Sequence, residues 1–300
     1  MSKVWIVTDG KQGHYNQSLG LAMALKRLRP ELKIETLPVL SKYACLKMLM
    51  GFAVSESFVQ PSQDSKPDLV IAAGHATHLT LWVLGQHFKA KKLLLMKPSM
   101  PIDWFDLCFI PVHDQPKPSP NVVVTQGALN PMRPGTKQHK TGVMLIGGPS
   151  KHHEWDEFKV LSQIEEVLKK QSYQWVITSS RRTPESTMCK LQALKGVEFI
   201  PHTDTPQGWL TETLASTDIA WVTADSVSMI YEALTAGCRV GVLEVTPCKE
   251  NRLTRGVQAL AQEGTITVFS QWAQTHQLCS KGIFNEADRC ADVILKRGWL

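Results

Sequence analysis

The chain has 300 residues, 43% of them apolar, enough for two domains that each bury a core. No run approaches the roughly 18 uncharged apolar residues of a membrane span, and the N-terminus enters an apolar strand at once instead of a signal peptide, which points to a cytoplasmic protein. The net charge of +6 is concentrated early, with 16 Lys and Arg against 9 Asp and Glu up to residue 138 and 17 against 18 beyond it; this suits an anionic partner or merely a soluble basic surface, while the few aromatics and the absence of an interleaved basic run disfavour nucleic acid.

In chain order, an apolar strand at Val4–Val7 opens into VTDGKQGHYNQSLGLAMAL, where a glycine-bearing turn displays Asp9, Lys11 and His14 before an amphipathic helix over Gln17–Leu28. The turn matches neither G-x-G-x-x-G nor G-x-x-x-x-G-K-[ST]. Further β-rich runs follow at Leu32–Leu37, Leu69–Ala72, Lys92–Met96, Phe105–Ile110 and Val122–Thr125, with helical patterns at Tyr43–Phe52 and Thr77–Phe88 between the earlier ones. Alternation of strand and helix predicts a parallel sheet. The segment KYACLKMLMGFAV, residues 42–54, reads either as a core helix or as a membrane-surface helix.

The stretch GALNPMRPGTKQHKTG breaks every period and marks a domain boundary, giving a first domain over 1–138. A second series fills 139–284, with strands at Val143–Ile146, Trp175–Thr178, Val197–Ile200, Ile219–Val222, Val240–Val245 and Ile266–Phe269. Its helices fall at Glu154–Lys169, Pro184–Leu194, Gly208–Leu214, Ser226–Ala236 and Leu253–Gln262, and a closing helix at Asn285–Lys296 ends the chain, within 285–300. Seven cysteines without a C-x-x-C pair predict neither a disulfide scaffold nor a zinc ribbon.

Two motifs of the second domain sit where open α/β folds bind ligands, at the carboxyl ends of strands. In VMLIGGPSKHHEW, Gly147 and Gly148 allow close backbone approach and Ser150 adds a hydroxyl. In IAWVTADSVSMIYEALTAG, Ser226 is an expected N-cap, the helix start with Ser226 and Ser228 forms an anion seat, and Glu232 lies where a ribose diol could be held. Arg181 and Arg182 follow the strand Trp175–Thr178 on the same edge and could clamp a diphosphate. Spacing alone leaves each of these open between a ligand site and a capped, solvated helix start. His152, His153, Glu154 and Asp156 are too close in sequence on one loop, with no i, i+4 His pair, so no metal is expected.

The pairing of a G-G-x-S strand end with a serine-rich helix start and an A-x-x-A-G tail resembles the nucleotide-sugar half of GT-B glycosyltransferases, notably the lipid-linked N-acetylglucosaminyltransferase of peptidoglycan synthesis. More closely, DGKQGHYNQSLGLA, PDLVIAAGHATHL, FIPVHD, VTQGALN, LIGGPSKHHEW, TSSRRTP and VTADSVSMIYEAL resemble, block after block, the mitochondrial-fission "elongated mitochondria" family and its bacterial relatives. These blocks are spread over most of the chain.

The resemblance implies two Rossmann-like doubly wound domains facing a cleft, a GT-B-like α/β architecture, with a nucleoside-diphosphate sugar as donor on the second domain and a hydroxyl acceptor, lipid- or envelope-linked, on the first. It implies a metal-independent glycosyltransferase working in the cytoplasm or peripherally at the inner face of a membrane. His14, or Asp9 close by, would remove the acceptor proton, with Asp114 as a further base or orienter; Lys11, Gly13, Asn16, His75 and His78 are the acceptor-side candidates. Two departures stand out: the flexible glycine of the glycosyltransferase's serine-rich turn is missing here, and relatives often carry arginine where His75 stands. A nucleotide-sugar epimerase on the same scaffold and a non-enzymatic, membrane-associated adaptor are the alternative readings.

Overall fold

The computed structural model describes residues 2–50, 66–279, 282 and 284–300. Its elements run β1 (Lys3–Thr8), α1 (Gln12–Leu28), β2 (Lys33–Pro38), α2 (Lys42–Leu49), β3 (Leu69–Ala73), α3 (His78–Phe88), β4 (Lys91–Leu95), β5 (Leu107–Pro111), β6 (Val122–Thr125) and β7 (Gln138–Leu145). They continue with α4 (Glu157–Lys170), β8 (Gln174–Thr178), α5 (Glu185–Gln192), β9 (Val197–Ile200), α6 (Trp209–Ser216), β10 (Thr217–Thr223), α7 (Val227–Thr235), β11 (Arg239–Leu243), α8 (Arg252–Gln262), β12 (Thr267–Val268), α9 (Phe269–Thr275) and α10 (Glu286–Lys296).

The contacts divide the chain into two compact units, Met1–Pro131 with Glu286–Leu300, and Met132–Asn285. Each holds a six-stranded parallel sheet, in the order β2-β1-β3-β4-β5-β6 for the first and β12-β11-β10-β7-β8-β9 for the second. Both are doubly wound Rossmann-like α/β sheets. All five residues of β3 are buried, as a strand covered on both faces requires, and this explains its unbroken apolar run Leu-Val-Ile-Ala-Ala. Among the described residues no helix is long and apolar enough to cross a membrane.

The sequence puts the domain boundary at 138; the structure moves residues 132–138 into the second unit. Met132 is buried in that unit's core, and Lys137 Nζ donates to the carbonyl oxygens of Leu214 at 2.8 Å and Ala236 at 2.7 Å. The closing helix α10 belongs to the first unit. Ala287, Cys290, Ala291 and Ile294, spaced three and four apart, pack on α1 beside Leu21 and Leu25, and a fully buried isoleucine contributes roughly 2 kcal/mol to that union. Glu286 accepts the N–H of Gln126 at 3.0 Å, and Arg289 donates to the carbonyl of Val124 at 2.7 Å, tying the helix start to the end of β6.

Helix starts shift from the expected positions for local reasons. Gly10 takes φ +79° and ends the turn early, so α1 begins at Gln12 and His14 stands in its first turn instead of in a loop. The Asp156 carboxylate accepts the N–H of Lys159 at 3.0 Å, which caps α4 at Glu157. Of the 42–54 segment, residues 42–49 form α2, while 51–54 lie outside the described residues.

Candidate active site

In the first sheet β1 lies between β2 and β3, so the chain leaves β1 toward one side and β3 toward the other; their carboxyl ends flank the switch point of the sheet. Asp9 follows β1 there, its side chain 5% exposed. His14 comes back from the first turn of α1, and its Nδ1 lies 3.0 Å from Asp9 Oδ2 and 3.1 Å from Oδ1. The imidazole rests against Gly74 at the end of β3; a Cβ at that position would come within 2.1 Å of Nδ1. Burial alone would raise the Asp9 carboxyl, but the hydrogen bond to His14, the Lys11 N–H at 3.2 Å and the neighbouring positive charges outweigh it and hold the group below its usual range.

An ionised Asp9 accepts a hydrogen bond from Nδ1–H, a tautomer that leaves the lone pair on Nε2, and Nε2 has no partner among the described residues. A histidine held by a carboxylate in this way has the geometry a general base requires. Lys11, mostly exposed, brings its Nζ to 3.8 Å from Asp9 Oδ2. Gly13 is exposed on the same turn, and Asn16 accepts from Gln12 Nε2 at 2.6 Å.

His75 and His78 stack at 5.5 Å between ring centroids, but only His75 is exposed. His78 is buried, its Nδ1 pairs with Ser99 Oγ at 3.0 Å, and burial together with the adjacent His75 lowers it to about 4, so it stays neutral near pH 7. Asp114 is buried just past β5, and its backbone carbonyl accepts from Lys97 Nζ at 3.5 Å.

In the second sheet the switch point falls between β7 and β10. The glycines after β7 are fixed by what crowds them: a Cβ on Gly147 would meet the Asp225 carboxylate at 2.2 Å, and one on Gly148 the carbonyl oxygen of Arg182 at 2.0 Å. Their N–H groups turn inward, Gly147 to Thr223 Oγ1 at 2.8 Å and Gly148 to Asp225 Oδ2 at 3.2 Å. Ser150 Oγ accepts the N–H groups of His152 and His153, so it first organises its own loop.

Arg182 reaches over this arrangement. Its Nη2 lies 2.6 Å from Asp225 Oδ2 and donates to Ser226 Oγ at 3.1 Å, while Nη1 donates to the Gly148 carbonyl at 3.0 Å. Ser226 therefore makes no side-chain cap to α7; its hydroxyl donates to Asp225 Oδ2 instead, at 3.1 Å, and does not cap the first-turn N–H groups as the sequence suggested. Ser228 is exposed beside them. Arg181, also exposed, makes no ion pair or hydrogen bond with the described residues. Glu232 is buried on α7, not on a solvated face.

Two residues that the sequence does not mark as site candidates, Asp225 and His153, also lie here. The Asp225 side chain is wholly buried, and its Oδ1 has no hydrogen-bond partner among the described residues; His153 is likewise buried with Nδ1 unpartnered. Burial lowers His153, against a rise from Asp225, which favours the neutral ring. It lines a cavity of about 300 Å³ with Ala224, Glu244, Thr246 and Gln258, beyond the end of β11. The one signal available was position, since Asp225 ends the T-A-D turn at the switch point.

A sequence model of the family described as mitochondrial fission ELM1 matches residues 12–298. The chain is 21% identical over 352 residues to the uncharacterized protein RP120 of Rickettsia prowazekii (strain Madrid E), covering 97% of each. The crystal structure of UDP-GlcNAc 2-epimerase from Neisseria meningitidis bound to UDP-GlcNAc superposes with a TM-score of 0.55 at 14% identity, over 99% of both chains. The S. aureus MnaA–UDP structure gives 0.50 at 13%, over 100% of this chain and 98% of that one. At these identities the likeness is one of fold.

Proposed function

The chain belongs to the mitochondrial fission ELM1 family, and from that premise we propose that it is a GT-B-type glycosyltransferase moving a sugar from a nucleoside-diphosphate sugar to a hydroxyl acceptor. The His14–Asp9 pair carries this reading. In the reaction, His14 Nε2 takes the acceptor proton as the acceptor oxygen bonds to the anomeric carbon; the bond from that carbon to the diphosphate breaks, and the nucleoside diphosphate leaves with the electron pair. Asp9 stabilises the imidazolium that forms and is not itself protonated.

On the second unit the leaving diphosphate is assigned to the start of α7, with Ser226, Ser228, Arg181 and Arg182 around it. In this proposal two guanidinium groups and uncapped helix N–H groups neutralise the developing charge in place of a divalent ion, so transfer survives a chelator. Arg181 is available without rearrangement, whereas Arg182 exchanges part of its bonding to Asp225 for phosphate oxygens.

Thermal melting of the whole chain with nucleoside diphosphates and their sugars tests the donor site, because a ligand of the native state raises its stability by RT ln(1 + [L]/Kd). UDP or a close relative is expected to raise the melting temperature, and silence across the whole set would overturn the reading. A nucleotide-sugar epimerase is possible on this fold, as the Neisseria structure shows for its own protein. Incubation with the stabilising sugar nucleotide separates the two: transfer to an acceptor supports the proposal, and release of an altered sugar nucleotide with none transferred supports the epimerase.

A further inference from the structure

The first unit carries a second cavity that the base does not use. It measures about 390 Å³ and opens between the exits of β4 and β5, lined among others by Lys97, Met100, Ile102, Ile110, Pro116 and Lys117. The lining is mostly apolar, but the two lysines give it a positive rim. Lys97 Nζ reaches the Asp114 carbonyl at 3.5 Å, and Lys117 makes no ion pair among the described residues. Gln115 in the lining and Met96, the residue before Lys97, are non-glycine residues in left-handed conformation, at φ +48° and φ +78°. Such backbone costs on the order of 1–3 kcal/mol per residue and tends to gather at ligand sites.

We propose that this cavity binds the apolar part of an anionic amphiphile, an alkyl, prenyl or aryl group joined to a phosphate or carboxylate that the two lysines hold at the mouth. An uncharged apolar ligand would leave both cations without a counterion, and a bare anion would leave the apolar floor wet. The size suits a group of drug-like dimensions. Sheet order places the cavity on the carboxyl edge that also carries His14: the imidazole rests on the end of β3, while the cavity lies between β4 and β5. With strands spaced about 4.8 Å apart, the two are separated along the edge by roughly 5–10 Å. Resting on the proposed transferase reading, this makes the ligand class that of the acceptor, with the hydroxyl to be glycosylated lying about that far from the apolar group.

The test is calorimetric titration of the full chain with octyl phosphate, octyl glucoside below its micellar concentration, and inorganic phosphate, with UDP titrated in parallel. Octyl phosphate is expected to bind at least tenfold more tightly than octyl glucoside, with no detectable binding of inorganic phosphate. Met100→Asp, which sets a like charge on a half-buried wall, and the double variant Lys97→Ala/Lys117→Ala, which touches only exposed side chains, are each expected to weaken octyl phosphate at least tenfold and to keep the UDP response; the lysine variant is expected to keep the melting temperature too, whereas Met100→Asp lowers it because Met100 packs on the core. Absence of octyl phosphate binding, equal binding of the uncharged octyl probe, or affinity that survives the double lysine variant overturns the proposal. UDP binding with octyl phosphate silent removes this site and keeps the donor reading; the reverse pattern removes the donor reading and keeps the cavity as an amphiphile site.

Discussion

Arg182 Nη2 lies 2.6 Å from Asp225 Oδ2, joining the loop after β8 to the loop after β10 across the glycines that follow β7. The carboxylate is wholly buried and the guanidinium 41% exposed, so the pair is lopsided: one partner depends on the other for charge compensation, while the second can also use water.

Arg182→Ala therefore strands a buried carboxylate and should cost about 2–3 kcal/mol, less than for a fully buried pair because the arginine is partly hydrated. Arg181→Ala removes an exposed side chain with no partner and should change stability by under about 0.5 kcal/mol. Urea denaturation of both variants checks the contrast. Equal stabilities for the two would mean that Asp225 is compensated by some other group.

His14→Ala should lower the rate of transfer by roughly 100- to 10,000-fold while leaving nucleotide-dependent thermal stabilisation intact, since the role proposed for the residue is on the acceptor proton and not on the donor. Asp9→Asn should also lower the rate, because an amide can fix the imidazole without stabilising its charged form. The measurement is kcat beside the UDP-induced melting shift. A loss of the shift in His14→Ala would contradict the division of labour between the units.

Glycine at 74 is required by the histidine it faces. Gly74→Ala places a Cβ 2.1 Å from His14 Nδ1 on a backbone at φ +89°, so the ring must leave Asp9 and transfer should fall nearly as far as in His14→Ala. Gly148→Ala collides with backbone, the Arg182 carbonyl at 2.0 Å, and should destabilise by about 1–3 kcal/mol or more. Kinetics for the first and chemical denaturation for the second would show which effect each carries.

Asp9, Glu35, Asp106 and Glu157 are all lowered by the fold and contribute to stability on the acid side, and Glu157 is the one moved far. Hydrogen bonds from Lys190, Thr187 and Ser186 lower Glu157 from its ordinary 4.5 to about 2, tying the start of α4 to α5. A carboxyl depressed in the folded state stabilises fully above its unfolded value, and the contribution disappears as pH falls from about 4.5 through about 2. Glu157→Gln should flatten that part of the acid limb and leave the slope above pH 6 unchanged, as read from melting temperatures between pH 2 and 7.

Most of the sheet was legible because parallel strands buried on both faces announce themselves as short apolar runs: Leu69–Ala72 and Ile219–Val222 lie within β3 and β10. Helix starts were less so. No side chain caps α1, and the turn before it ends on a glycine conformation that spacing does not reveal. The seven-residue α9 was absent from the reading, since only Trp272 among its residues is buried and no period can show in so short a segment.

At the candidate site, the residue types were readable and their pairings were not. His14 and Asp9 are five apart in sequence and could be set side by side, but the contact of Arg182 with Asp225 joins residues more than forty positions apart and depends on strand order. For the same reason, the sequence shows Gly147 and Gly148 as positions of close backbone approach to a nucleotide sugar but not that their N–H groups serve Thr223 and Asp225. Glu232 looked solvated from helical spacing, although α7 is buried over Ile230–Thr235 because it lies against β10 and β11.

The return of α10 to the first unit reverses the order in which the halves can be finished as the polypeptide leaves the ribosome. Leu21 and Leu25 emerge early, yet the residues that cover them, from Ala287 to Ile294, are made last. The second unit, contiguous from Met132 to Asn285, can close while its neighbour still shows an oily face to chaperones and proteases. The half translated first is thus the half completed last.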